Sequence, residues 1–161
     1  MLRSFIQQRH KRQRSLELTG EVIKLHYVLA EKDISCPGEA ACDVGSKLFG
    51  LHFGSDIIKR ISVLIYEAGV NAVIHAGGGE ADILITDGEI RIIVKDNGPG
   101  IYDIDLAMTP GWSTASAADR EDGFGAGSGL LNIERYSDGL KIESEAGKGT
   151  TVTMTVKTKT D

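Results

Sequence analysis

The chain has 161 residues, 41% of them hydrophobic and 25% charged, which is the length and make-up of one globular domain with a sizeable core. A formal net charge of −5 argues against a general nucleic-acid binder. No apolar run approaches the ~18 residues that span a bilayer.

The first segment, MLRSFIQQRHKRQR, has neither an apolar core nor a small-residue cleavage site, so no secretory signal is expected there and cytoplasmic is the default location. It carries Arg3, Arg9, Lys11, Arg12 and Arg14 and no acid. Residues 1–19 are read as a basic extension, docked on an acidic surface or simply solvated, ahead of a single domain over 20–161. Val22 to Leu29 alternates, with Ile23, Leu25, Tyr27 and Leu29 on one side, and predicts a strand. Cys36-Pro37-Gly38 punctuates the chain and Glu39 to Phe49 predicts a short helix. Cys36 and Cys42 match no metal-ligand spacing and are expected as inert free thiols.

Ile57 to Ala76 is the best helical signal, with Ile57, Ile61, Leu64, Ile65, Ala68 and Ala72 on one arc and Gly77-Gly78-Gly79 ending it. Ala81 to Thr86 and Glu89 to Asp96 predict strands joined at Asp87-Gly88, a hairpin pair. Residues 97–127 are rich in glycine, contain Pro99 and Pro110, and show no regular period; a loop of that length in a compact domain is usually functional. Leu130 to Tyr136 predicts a helix, and Leu140 to Glu145 and Thr151 to Lys157 two strands joined by Ala146-Gly147-Lys148-Gly149. The order β-α-α-β-β-loop-α-β-β, with two short hairpins, predicts an α+β two-layer sandwich: a mixed, mainly antiparallel sheet with helices on one face.

Polar side chains interrupt this pattern in three places. On the long helix Glu67, Asn71 and His75 are spaced i, i+4, i+8 and drift onto the apolar arc. Glu67 could merely rim the core and Asn71 could be a satisfied buried amide. Asp96 shares the inward parity of Ile90, Ile92 and Val94, and a buried carboxylate needs donors. A local cap on the following turn would supply them. Thr150 shares the inward parity of Val152, Met154 and Val156; the plain alternative is a hydroxyl bonded to its own backbone. Glycines connect these points. Asp96-Asn97-Gly98-Pro99-Gly100 follows one strand, and Gly123, Gly125, Gly127 and Gly129 alternate just before a helix, where backbone N–H groups can meet a phosphate. A flexible linker is the alternative. The common nucleotide motifs are absent: Ile142 and Gly149 break any P-loop reading of Gly147-Lys148, and nothing fits G-x-G-x-x-G.

Taken together, these residues resemble the GHKL ATPase superfamily of gyrase, Hsp90, histidine kinases and MutL. Glu67 to His75 is similar to its N-box, Asp96-Asn-Gly98-Pro-Gly100-Ile101 to its first glycine box, Gly125-Ala-Gly127-Ser-Gly129-Leu130 to its second, and Gly147-Lys-Gly149-Thr150 to its closing threonine motif. The resemblance covers about residues 20–158 and implies the Bergerat fold. Within the superfamily the chain looks most like the bacterial serine kinases of partner switching, the anti-sigma-factor kinases and the stressosome switch kinase. The basic extension and the stretch Ala115 to Asp122 depart from that pattern.

The resemblance implies ATP and Mg²⁺ as cofactors. Asp96 would accept from the adenine amino group with Thr150 beside it, and Gly98, Gly100 and Ile101 would shape that end. Asn71 would offer its oxygen to Mg²⁺. Gly125, Gly127, Gly129 and Leu130 would cradle the phosphates. Glu67 would take the proton from an attacking hydroxyl or water. Arg120 would reach the transferred phosphate when the lid, the stretch from Gly111 to Asp122, closes, or pair with Asp119 or Glu121 in solvent. His75 would touch phosphate or be structural. The implied partners are a small antagonist or scaffold domain with a phosphorylatable Ser or Thr, and a sigma factor or effector enzyme. A homodimer is possible, and neither a membrane nor nucleic acid is expected. Two other readings stay open: a nucleotide-gated binding module with little catalysis, and the ATPase lobe of a split histidine kinase. A further one makes the basic extension a nucleic-acid contact.

Overall fold

The computed structural model describes residues 22–121 and 123–159; the basic extension over 1–19 lies outside the described residues. Five strands, β1 (Ile23–Leu29), β2 (Gly79–Ile85), β3 (Glu89–Lys95), β4 (Gly139–Glu145) and β5 (Gly149–Lys157), form one sheet in the order β1-β2-β3-β5-β4. Five helices accompany them: α1 (Ser35–Gly50), α2 (Ser55–Ala76), α3 (Ile104–Ala107), α4 (Ala117–Glu121) and α5 (Gly129–Tyr136). The α+β sandwich is as expected, but the sheet is wholly antiparallel and not mixed. The connection through α5 brings β4 back in the direction of β3, and the β4–β5 hairpin then folds β5 between them, antiparallel to both. No helix among the described residues is long and apolar enough to cross a membrane.

The core lies between the sheet and its helices. Strand alternation sends Ile83, Ile85, Ile90, Ile92, Met154 and Val156 inward, where they meet Val44 and Leu48 of α1, Ile61, Leu64 and Ile65 of α2, and Ile133 of α5, all fully buried. Gly69 of α2 faces Pro37 of α1, where a Cβ would stand 2.8 Å from the proline ring, so the ring of Pro37 lies directly on the α2 backbone. α1 begins four residues before the predicted Glu39. Its first turn holds Pro37, whose missing N–H costs nothing there, and Asp33 accepts both the N–H of Ser35 at 3.0 Å and its hydroxyl at 2.6 Å. Gly77 ends α2 in the left-handed region at φ +78°.

The β2–β3 hairpin falls where Asp87-Gly88 predicts it. Neither residue takes a positive φ, so the turn is not the type that pair favours. Instead the Thr86 hydroxyl donates to the Glu89 carbonyl at 2.8 Å, and Thr158 reaches over to bond Asp87 and Gly88.

α5 is fastened to α2 at its far end. Arg60 donates to the Tyr136 carbonyl at 2.9 Å and pairs with Asp138 at 2.8 Å, and Asp138 also accepts the N–H of Lys157 at 2.7 Å. Burial works to raise the Asp138 carboxyl, but the Lys157 N–H and the Arg60 guanidinium outweigh it and hold the group below its ordinary 3.8. Arg60→Ala should therefore lower the unfolding free energy by about 1–3 kcal/mol, read by urea denaturation at pH 7. A depressed carboxylate stabilises above its unfolded value, so the gap between wild type and variant should narrow as pH falls below 3.8.

Candidate functional site

A cavity of about 610 Å³ opens between the second half of α2, the adjoining ends of β3 and β5, the 97–127 loop and the start of α5. Its lining includes Glu67, Asn71, His75, Asp96, Gly100, Ile101, Gly125, Gly127, Gly129, Leu130 and Thr150. Residues from four separate stretches of sequence thus converge on one space. Gly98 and Arg120 are not in the lining.

Strand register sets one end of the cavity. The last pairs of the β3–β5 ladder put Lys95 opposite Thr151, so Asp96 and Thr150 follow as neighbours, and the Asp96 N–H donates to the Thr150 carbonyl at 2.9 Å. Asp96 Oδ1 accepts the N–H groups of Gly98 at 2.9 Å and Thr150 at 3.2 Å. Local capping of the turn is therefore real, but it uses one oxygen; Oδ2 has no hydrogen-bond partner among the described residues. The Thr150 hydroxyl does not bond its own backbone. It lies 2.9 Å from the Ser144 hydroxyl, and Ser144 Oγ accepts the N–H of Ile101 at 2.7 Å. Apolar side chains of Val94, Val152, Ala72, Ala76, Leu106 and Ala107 also line the cavity. A half-buried carboxylate with one free oxygen, a neighbouring hydroxyl and apolar lining suits a planar base that offers an amino group.

At the other end Glu67 and Asn71, one turn apart on α2, face the first residue of α5. A Cβ on Gly129 would stand 3.2 and 3.3 Å from the two polar atoms of the Asn71 amide and 3.4 Å from Glu67 Oε2. The Asn71 amide makes no hydrogen bond with the described residues, so it is not a satisfied buried amide. Glu67 Oε1 accepts from Asn132 Nδ2 at 2.7 Å. This end presents a carboxylate, a neutral amide oxygen and a helix N-terminus, a donor set that suits a phosphate with its hard metal ion. Among the described lining residues none is Lys or Arg.

The segment between these ends packs on itself. The N–H of Gly111 donates to the Gly127 carbonyl at 3.1 Å, and Gly127 sits at φ +72°, where a Cβ would meet the Trp112 backbone at 2.6 Å. Here the alternating glycines admit a second stretch of chain. His75 Nδ1 lies 3.0 Å from the Thr114 hydroxyl, which ties this segment to α2. Burial lowers the His75 pKa below 6.5 against the pull of Asp119 and Asp96, so the ring is neutral at pH 7. Arg120 is exposed, and its guanidinium donates to the Ser113 carbonyl at 3.1 Å; neither Asp119 nor Glu121 is its partner. Asp119 is instead engaged with Ser116 in a reciprocal cap at the start of α4. Gly98 donates to Asp96 and leaves room for Ala76.

Sequence reasoning misses two residues that hold this site. Ser144 shares the inward parity of Leu140 and Ile142, the same signal that singles out Asp96 and Thr150. Asn132 carries no such signal, because one amide on an eight-residue helix is unremarkable without its partner.

The chain is similar in sequence and in fold to known proteins. A family model described as histidine kinase-, DNA gyrase B- and HSP90-like ATPase matches residues 56–160. An anti-sigma F factor of Clostridium botulinum is 35% identical over 108 residues, covering 63% of this chain and 72% of that protein. The anti-sigma F factor of Caldanaerobacter subterraneus is 37% identical over 103 residues, covering 61% and 68%. Among solved structures, the RsbU and RsbW domains of Rv1364c from Mycobacterium tuberculosis match in fold with a TM-score of 0.56 at 21% identity, over 83% of this chain and 31% of that one.

Proposed function

Because the chain belongs to the histidine kinase-, DNA gyrase B- and HSP90-like ATPase family, and within it to the anti-sigma factors, we propose that it is an ATP-dependent protein-serine/threonine kinase of the partner-switching type. One observation carries this reading: a single cavity holds an adenine-type end at Asp96 and Thr150 and, at its other end, a carboxylate beside an amide and a helix N-terminus. Binding alone does not need Glu67 there.

The free oxygen of Asp96 accepts from the amino group of adenine, and the Thr150 hydroxyl, held by Ser144, lies beside it. A guanine carbonyl would face a carboxylate, so ATP is preferred over GTP. Asn71 holds Mg²⁺ through its amide oxygen. The metal, when bound, supplies the positive charge that the described lining lacks. Glu67 takes the proton from the attacking hydroxyl. Arg120 stands on the lid, so its charge reaches the transferred group only when the lid closes over the nucleotide. The acceptor is a Ser or Thr on a small antagonist or scaffold domain, and a sigma factor or effector enzyme is the competing target.

The test pairs calorimetric titration with a transfer assay. ATP with Mg²⁺ should bind at least about tenfold more tightly than GTP, and chelating the metal should weaken ATP binding. Incubation with labelled ATP and a small antagonist domain carrying a central Ser or Thr should yield phosphoserine or phosphothreonine. Nucleotide-dependent capture of a partner without transfer would establish a binding module in place of a kinase.

A further inference from the structure

Among the described residues Glu67 has one hydrogen-bond partner, Asn132, whose amide is half-buried and 2.7 Å from Oε1. A carboxylate only accepts, so the amide must present its NH₂ group to it. Asn132 is not in the cavity lining; it stands on α5 three residues beyond Gly129. The second carboxylate oxygen, Oε2, faces Gly129, as the Asn71 amide does. Holding Oε1 from one side thus leaves Oε2 as the oxygen that faces the reacting end.

We propose that Asn132 is a positioning residue: it fixes the orientation of Glu67 and makes that carboxylate move with the helix that follows the glycine loop. A free Glu on a helix samples several rotamers, and most of them turn it away from Asn71. One charge-assisted bond from a neighbouring helix selects a single rotamer. A base tied to α5 is also in register with whatever the N-terminus of α5 binds, so its placement and the placement of the phosphates are set by one element. The catalytic consequence rests on the kinase reading; the bond and the rotamer it selects do not.

The test uses Asn132→Leu and Asn132→Gln in the full chain. Crystal structures of the variants should show the Glu67 side chain leaving its wild-type rotamer in Asn132→Leu and keeping a bond from the longer amide in Asn132→Gln. ATP affinity, by titration calorimetry, should stay within about threefold in Asn132→Leu while turnover of ATP falls about tenfold or more, and Asn132→Gln should recover part of that rate. A Glu67 side chain that keeps its wild-type rotamer in folded Asn132→Leu overturns the proposal, as does an unchanged turnover. Absence of turnover in the wild type counts against the kinase reading alone, because the Glu67 rotamer still decides the role of Asn132.

Discussion

Asp96→Asn should weaken ATP binding at least about 100-fold while leaving the fold intact. The reason is specific to how the carboxylate is held. Oδ1 already accepts two backbone N–H groups, from Gly98 and Thr150. An amide at this position must keep its oxygen there, since its NH₂ group would face two donors. The nitrogen is then forced into the place of Oδ2 and turns a donor toward the donor of adenine. One hydrogen bond is lost and a desolvated, mismatched pair is made, which is the case where polar sites discriminate most strongly. The same inversion suits a guanine carbonyl, so the variant should lose its preference for ATP over GTP. Titration calorimetry with both nucleotides reads the outcome, and circular dichroism checks the fold. An ATP affinity within about threefold of wild type would exclude Asp96 as the reader of the base.

Glu67→Gln should do the opposite. It keeps an oxygen for Asn132 and changes neither length nor shape, so ATP affinity should stay within about threefold. It removes the carboxylate oxygen that faces Gly129, and phosphoryl transfer to the antagonist domain should fall about 10²–10⁴-fold. The split between binding and rate is the signature. A variant that still phosphorylates its partner at the wild-type rate would show that the proton leaves by another route, and a variant that loses ATP binding would make Glu67 a ligand and not a base. The two substitutions together separate the reading of the base from the chemistry at the phosphate.

Most of the architecture is legible in the chain because two periods are clean. Alternation marks four of the strands, and the apolar arc of α2 is long enough to fix its state. The same periods expose Asp96, Thr150, Glu67, Asn71 and His75, since a polar residue on an inward face demands a reason. What escapes lies where no period operates. α3 and α4 are four and five residues long and are started by local caps from Asp103 and from Ser116 with Asp119, not by any apolar face. The early start of α1 was hidden behind Pro37, a residue that breaks helices everywhere except in their first turn. Gly98 and Arg120 share the composition of a site without reaching its lining, because spacing alone does not say whether a glycine serves a ligand or a neighbouring helix. The alternating glycines teach the same point: Gly127 is small so that Gly111 and Trp112 can lie against it. Ser144 could have been found by parity; Asn132 could not, because its meaning is a contact between residues 65 apart in sequence.

The register that makes Asp96 and Thr150 neighbours has a consequence for how the molecule fails. On the proposed reading, base recognition sits where the paired ends of β3 and β5 meet, beside the last part of a sheet to open, whereas the phosphate end depends on glycine turns and a short helix. A limited proteolytic cut in the lid should therefore leave a remnant that still tells purines apart but has lost its grip on the tail of the nucleotide. Selectivity and retention would thus be housed in parts of different durability, with only the weaker one available for a bound protein to adjust.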